Sequence, residues 1–275
     1  MSQLDNRTVL VTGASDGLGR GVATELAARG FDVIAHGRDP GRSERALAQI
    51  RADSGNEDVA LELADLANLG EVRALARRVI MSHPRISVVV NNAGIGSGLP
   101  DSREREESSD DLELRFAVNY LAGWLLVSEL LPTLRANAPA RVVNVASGAQ
   151  APIDFDDVML ERAYDGGQAY AQSKLAQVMH AAELAERIPE AELTAFSLHP
   201  STYMPTKIVL EERGSAVDSL EAGIEAVVGL VTQADPGAPN GSYFDRAEPA
   251  DPHPLAADAN ARGRLWRLSE ELTAG

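Results

Sequence analysis

The chain has 275 residues, no cysteine and a formal charge of −16 at pH 7. Without cysteine it holds no disulfide and no thiolate metal site, and its five histidines are not clustered at ligand spacing. The charge argues against nucleic acid or an anionic membrane as partner, because both would be repelled over about a Debye length.

The opening residues, MSQLDNR, lack a basic region followed by an apolar one, and no run approaches the roughly 18 apolar residues of a membrane span. The expectation is a soluble, cytoplasmic protein with no membrane partner. No composition break, repeat or low-complexity linker divides residues 1–275, so one domain is expected.

In chain order, Val9 to Val11 form an apolar run that ends in a glycine-bearing turn and flows into helical spacing from about Gly17 to Arg29. Such a unit presents unpaired helix N–H groups and the positive end of a macrodipole to an anion. Gly13, Gly17 and Gly19 stand where side chains would obstruct the turn or the approach of a pyrophosphate. A plain strand-to-helix turn would use the same residues.

Strand and helix then alternate: strand Phe31 to His36, helix Arg45 to Arg51, strand Val59 to Leu63, helix Glu71 to Met81, strand Ile86 to Val90. Ser102 to Asp111, SREREESSDD, has the composition of a solvated loop. Ser109 or Asp110 is the expected N-cap of a helix running to about Arg135, whose apolar pattern Asn119 interrupts. A strand, Arg141 to Ala146, ends at Ser147, and after a looser stretch a helix spans Tyr170 to Arg187. Leu193 to Leu198 is a sixth strand. Residues 201–215 suit either a lid or an irregular loop, and helix Val217 to Thr232, strand Ser242 to Phe244 and helix Ala257 to Leu272 complete the chain. Repeated βαβ units predict an α/β, doubly wound Rossmann-type parallel sheet of about seven strands with helices on both faces. Ligands in such sheets sit beyond the carboxyl ends of the strands.

Lysine stands only at 174 and 207, every other basic residue being arginine. Tyr170 and Lys174 are four apart on one helix, so their side chains leave the same face. Lowering a tyrosine from about 10 by two to three units needs about 3 to 4 kcal/mol. An ammonium at about 4 Å in an effective dielectric of about 20 supplies about 4 kcal/mol, so one adjacent lysine is about enough. A hydroxyl at Ser147, on the same rim as the glycine turn, can orient a substrate oxygen. A surface tyrosine packed on a lysine stem is the bland alternative.

Thr12-Gly13-Ala14-Ser15-Asp16-Gly17-Leu18-Gly19, Asp65, Asn91-Asn92-Ala93-Gly94, Asn119, Ser147, Tyr170 with Lys174, and His199-Pro200 together resemble the short-chain dehydrogenase/reductase family, in its order and over nearly the whole chain. AYAQSKLAQ, GSYFD and RLWRLSEEL resemble its retinol-dehydrogenase-like branch. The resemblance implies an NAD(P)-dependent oxidoreductase acting on a small-molecule carbonyl or alcohol, with Tyr170 as general acid or base and Ser147 polarising the substrate oxygen. It also implies that Lys174 holds the nicotinamide ribose and lowers the tyrosine's pKa, and that Asn119 positions a relay water. Gly13, Ser15, Asp16, Gly17, Leu18, Gly19, Asn92, Ala93 and Gly94 would border the cofactor. Asp65 with Leu66 would meet the adenine, Asp65 being otherwise a helix cap, and Pro200, Thr202 and Thr206 would lie near the carboxamide. A homodimer or homotetramer is usual in the family, though the long Gly148 to Gly167 interval bears on a helix–helix interface.

For NAD an acidic residue ends the second strand; here Ala35-His36-Gly37-Arg38 places glycine there with an arginine beside it. A guanidinium pairs with a 2′-phosphate that a carboxylate would repel, so NADP is expected, with NAD as the alternative. Asp16 opposes that reading, and Ser201 stands where relatives commonly have glycine. A dinucleotide-binding regulator without turnover is the competing class.

Overall fold

The computed structural model describes residues 7–98, 104–202, 204–206, 209–210 and 214–274. Five βα steps and a sixth parallel strand build its first two thirds: β1 (Thr8–Val11), α1 (Gly17–Ala28), β2 (Asp32–Gly37), α2 (Pro40–Ser54), β3 (Ala60–Leu63), α3 (Leu69–Ser82), β4 (Ile86–Asn91), a π-helical turn (Phe116–Leu121) running into α4 (Ala122–Ala136), β5 (Ala140–Val145), α5 (Gly166–Arg187) and β6 (Leu193–His199). Then come α6 (Leu220–Thr232), β7 (Tyr243–Asp245), β8 (Glu248–Ala250) and α7 (Ala259–Leu272).

The sheet order is β3-β2-β1-β4-β5-β6-β7-β8. The chain moves outward from β1 to β3, then returns to place β4 on the other side of β1, with Val11 opposite Ala35 and Val90. The loops after β1 and β4 therefore diverge, and a crevice opens at their carboxyl ends.

The period of two in each strand fills two cores. Leu10, Ile34, Val89 and Val142 face α3, α4 and α5, while Val9, Val11, Val33, Val88, Val90 and Val143 face α1 and α6. The consecutive valines of β4 are thus buried on both sides of one sheet.

Four expectations are corrected. The sheet has eight strands rather than about seven: β8 folds back antiparallel on β7 through Arg246, whose φ is 57°. Three residues with a central Pro249 carry no readable alternation, and proline is tolerated there because the strand is an edge. Helix α2 begins at Pro40, capped by Asp39, well before Arg45, because its polar composition hides the period. Helix α5 begins at Gly166, capped by Asp165; a Cβ at Gly166 would lie 2.2 Å from the Ser97 carbonyl oxygen, so the glycine is a close-approach site inside the helix. Neither Ser109 nor Asp110 caps the helix leading into α4. Asp110 accepts instead from Leu69 N of α3 at 2.8 Å, while Glu113 accepts from Phe116 N at 2.7 Å.

The helix Phe116–Ala136 is long and apolar enough to cross a membrane by length and composition, contrary to the sequence expectation, and 61% of its apolar window is buried inside the fold. Part of its cover is α7. Trp266 packs edge-on against Trp124 at 5.4 Å, and Tyr120 Oη lies 2.7 Å from Ser269 Oγ in the core. Tyr120→Phe should lower unfolding free energy by about 0.5 to 1.5 kcal/mol in urea titration, because Ser269 keeps its bond to the Leu265 carbonyl.

Candidate active site

The glycine turn is braced by the loop after β4. Asn92 Nδ2 donates to the carbonyls of Thr12 (2.8 Å) and Gly13 (3.3 Å), and Thr12 Oγ1 accepts from the backbone N–H of Asn92 and Ala93, both at 3.0 Å. Gly13 sits at φ 68°, and a Cβ there would lie 2.8 Å from Ala93 Cα. At Gly19 a Cβ would lie 2.3 Å from both Asn92 Nδ2 and the Gly13 carbonyl oxygen. Two backbones approach as closely as glycine permits.

His36 closes the same turn from the side of β2. Its Nδ1 accepts from Gly13 N at 3.3 Å, which leaves Nε2 to donate to the Ala64 carbonyl at 3.1 Å. Burial pushes its pKa down to about 4, so it stays neutral. The sequence reading passed over His36; a histidine ending the apolar run Val33-Ile34-Ala35 was the available signal.

Asp16 is the N-cap of α1, accepting from Gly17 N at 2.7 Å, and its other oxygen lies 3.4 Å from the guanidinium of Arg42. Arg42, in the first turn of α2, was also missed because that turn was not read as helix. Arg38 lies 3.9 Å from Asp65. Asp65 is not the cap of α3, a place taken by Asn68; it forms a local turn by accepting from Ala67 N at 3.0 Å.

A cavity of about 740 Å³ runs along the carboxyl ends of the strands. It gathers nearly all the residues singled out in the sequence: Gly13, Ser15, Asp16, Gly17, Leu18, Gly19, Arg38, Asp65, Leu66, Asn92, Ala93 and Gly94 from the first four strands, and Ser147, Tyr170, Lys174, Pro200, Thr202 and Thr206 from the later part of the chain. Asn119 alone is set behind its wall. There its Oδ1 accepts from Ile95 N (2.8 Å) and its Nδ2 donates to the Ile95 carbonyl (3.1 Å) and Ser173 Oγ (3.0 Å), pinning the loop after β4. Both amide hydrogens are spent on protein, so only Oδ1 has capacity left for a relay water.

Tyr170 and Lys174 share one face of α5, with Nζ 5.7 Å from the tyrosine ring centroid. The ammonium is buried and donates to the Val145 carbonyl and to Gln177 Oε1, both at 2.9 Å. Burial lowers its pKa to about 7. Burial therefore works against the charge that the sequence reading assigns to this lysine, and neutral acceptors have to sustain it.

The polar run before α4 is only partly a solvated loop. Ser108 is buried, and Glu106 pairs at 3.3 Å with Arg115, which also donates to the Gly96 carbonyl (2.9 Å) and Tyr164 Oη (2.8 Å). These bonds tie the start of the helix to the loop after β4 and to the segment before α5, on the side of the cavity lined by Ile95, Leu114 and Val118.

Ser201, the departure from glycine, has a use. Its Oγ donates to Asp218 Oδ2 at 2.8 Å, and the same oxygen accepts from Thr202 N and from Arg246. That carboxylate, its pKa lowered chiefly by the Ser201 bond, fastens both ends of the 201–215 segment. Met204, Thr206 and Val209 of the segment line the cavity; Tyr203, Lys207, Ile208 and residues 211–213 lie outside the described residues.

A family model described as short chain dehydrogenase matches residues 7–214. The chain therefore belongs to the short-chain dehydrogenase/reductase family and is an NAD(P)-dependent oxidoreductase of carbonyl and alcohol groups. It falls in the retinol-dehydrogenase-like branch: it is 33% identical to human (Homo sapiens) retinol dehydrogenase 13 over 98% of this chain and 85% of that one. To human dehydrogenase/reductase SDR family member 13 it is 34% identical, over 99% and 74%. Among solved structures, a short chain dehydrogenase from Shigella flexneri 2a str. 301 complexed with NADP matches with TM-score 0.72 and 25% identity, over 90% of this chain and 99% of that one.

Because Lys174 titrates near 7 when folded and at about 10.4 when unfolded, the unfolded chain binds more protons between those values, and stability rises with pH across that window. Lys174→Met removes the cost. It also leaves Gln177 Oε1 and the Val145 carbonyl without that donor, so the sign at any one pH is set by both effects, but urea titrations should show the variant's stability relative to the parent falling steadily as pH rises from about 7 to about 10.

Proposed function

We propose that the protein transfers hydride between NADP(H) and the carbonyl or secondary-alcohol carbon of a small molecule, with Tyr170 as general acid and base. The observation that carries the cofactor reading is the pair of guanidiniums, Arg38 and Arg42, on the cavity wall beyond β2, where Gly37 offers no carboxylate. Asp16 has less force against it than the sequence suggested, since Arg42 already offsets its charge. Arg38 and its partner Asp65 are both exposed, and a pair of that kind holds its members by about 0 to 1 kcal/mol, so a 2′-phosphate would draw the arginine away at little cost.

The site fits a dinucleotide. Gly13 and Ser15 to Gly19 line the cavity at the start of α1, where the positive end of the helix lies, and Gly13 and Gly19 admit the close approach of Asn92 and Ala93 that holds this turn in place. Residues from Gly13 to Gly19 would hold the pyrophosphate, Arg38 and Arg42 the 2′-phosphate, and Asp65 with Leu66 the adenine. Lys174 would hold the nicotinamide ribose, and Pro200 and Thr202 the carboxamide. When bound, the nicotinamide supplies or accepts the hydride. Ser147 orients the substrate oxygen, and in reduction the Tyr170 hydroxyl gives its proton to the developing alkoxide; in oxidation the phenolate takes it back. Lys174, when charged, stabilises that phenolate.

Arg38→Glu should raise the KM for NADPH about tenfold or more and leave NADH use nearly unchanged; equal losses with both would overturn the NADP assignment. Tyr170→Phe should cut kcat by about 10² to 10⁴ while NADPH still binds, as fluorescence titration would report. Turnover retained in that variant would remove Tyr170 from the reaction.

A further inference from the structure

The buried ammonium of Lys174 has no ion pair among the described residues, and what surrounds it is neutral. Tyr170 is the titratable group facing it from α5. Beyond β5 the Val145 carbonyl faces it, and the loop after β4 brings Gly94, whose Cβ would lie 3.6 Å from Nζ and 3.2 Å from Asn119 Oδ1. His180, one turn beyond Gln177, is held neutral by burial, its pKa pushed down to about 3. A charge so placed is costly unless its hydrogens are accepted.

Gln177 meets that need. It is buried on α5, where an amide is costly without a partner, and its Oε1 lies 2.9 Å from Nζ. Its place is set from the sheet: Asn144 Nδ2 donates to the Gln177 carbonyl at 2.9 Å, and Asn91 Nδ2 donates to Asn144 Oδ1 at 2.9 Å. An amide chain from β4 through β5 thus fixes the helix turn that carries the glutamine.

We propose that Gln177 is a positioning residue for Lys174: its amide oxygen, together with the Val145 carbonyl, takes two of the three ammonium hydrogens, stands in for a counter-ion, and leaves the third for the cavity. This rests on Lys174 acting in the hydride-transfer site, yet the grip itself is measurable without turnover. The neutral acceptor shifts the lysine toward its protonated form, and does so without setting a negative charge beside the phenolate that Tyr170 must form.

The scarcity of lysine makes the test direct. With [ε-¹³C]lysine incorporated, the cofactor-free protein gives signals from two side chains only, and Lys174→Met identifies the one in question. In Gln177→Met, similar in shape but without the acceptor, the Lys174 midpoint should fall by about one pH unit, tenfold in its protonation constant. In Gln177→Glu it should rise. With substrate, Gln177→Met should lower kcat more than it raises the alcohol's KM, and the acid limb of the oxidation profile should move to higher pH as Tyr170 loses its cation. A folded Gln177→Met whose Lys174 midpoint moves by less than about 0.2 unit would overturn the proposal. Should that variant fail to fold by circular dichroism, Gln177→Glu decides: a raised midpoint supports the grip, an unmoved one refutes it.

Discussion

The crevice depends on the bonds that join the end of β1 to the end of β4. Thr12 Oγ1 and Asn92 Nδ2 hold two adjacent loops together where their chains part to opposite faces of the sheet. Without them the glycine turn would lose its side-chain brace from the loop after β4, and its glycines supply conformational freedom and no packing of their own. His36 adds a third support from β2, a neutral ring bonded at both nitrogens. The floor of the nucleotide cradle is in this sense made by side chains that need not touch a nucleotide.

At the other end the governing constraint is electrostatic. A lysine carried by a helix against a parallel sheet is buried, and burial pushes it toward the neutral form that its task does not want. The surroundings answer with oriented neutral oxygens rather than a carboxylate. A carboxylate would secure the charge more firmly, but would also oppose ionisation of the neighbouring tyrosine. Stability is lost to a group that is held out of water for its chemistry.

The entrance is arranged by ion pairs and amides between segments far apart in the chain. Asp218 bonds Ser201, Thr202 and Arg246, and Arg115 joins Gly96, Tyr164 and Glu106. Each draws a loop onto the scaffold, and each was invisible as a pattern, since the partners are separated by loops whose lengths follow no period.

By itself the sequence determined the alternation of strands and helices, the crevice at the strand ends, and the residues that gather there. Apolar period, glycine placement and the Tyr170 to Lys174 spacing are local properties, and local geometry follows from them. Asn119 was legible as a polar residue that must find partners, though not which ones. Only the tertiary structure decided what each polar group spends its bonds on: Asp16 on a helix cap and Arg42, Asp65 on its own turn, Asn92 on the glycine loop, Lys174 on Gln177 and Val145. Those choices depend on distances across the sheet and on burial, which no spacing along one chain encodes. The eighth strand belongs with them, since three edge residues acquire their conformation from the neighbour they pair with.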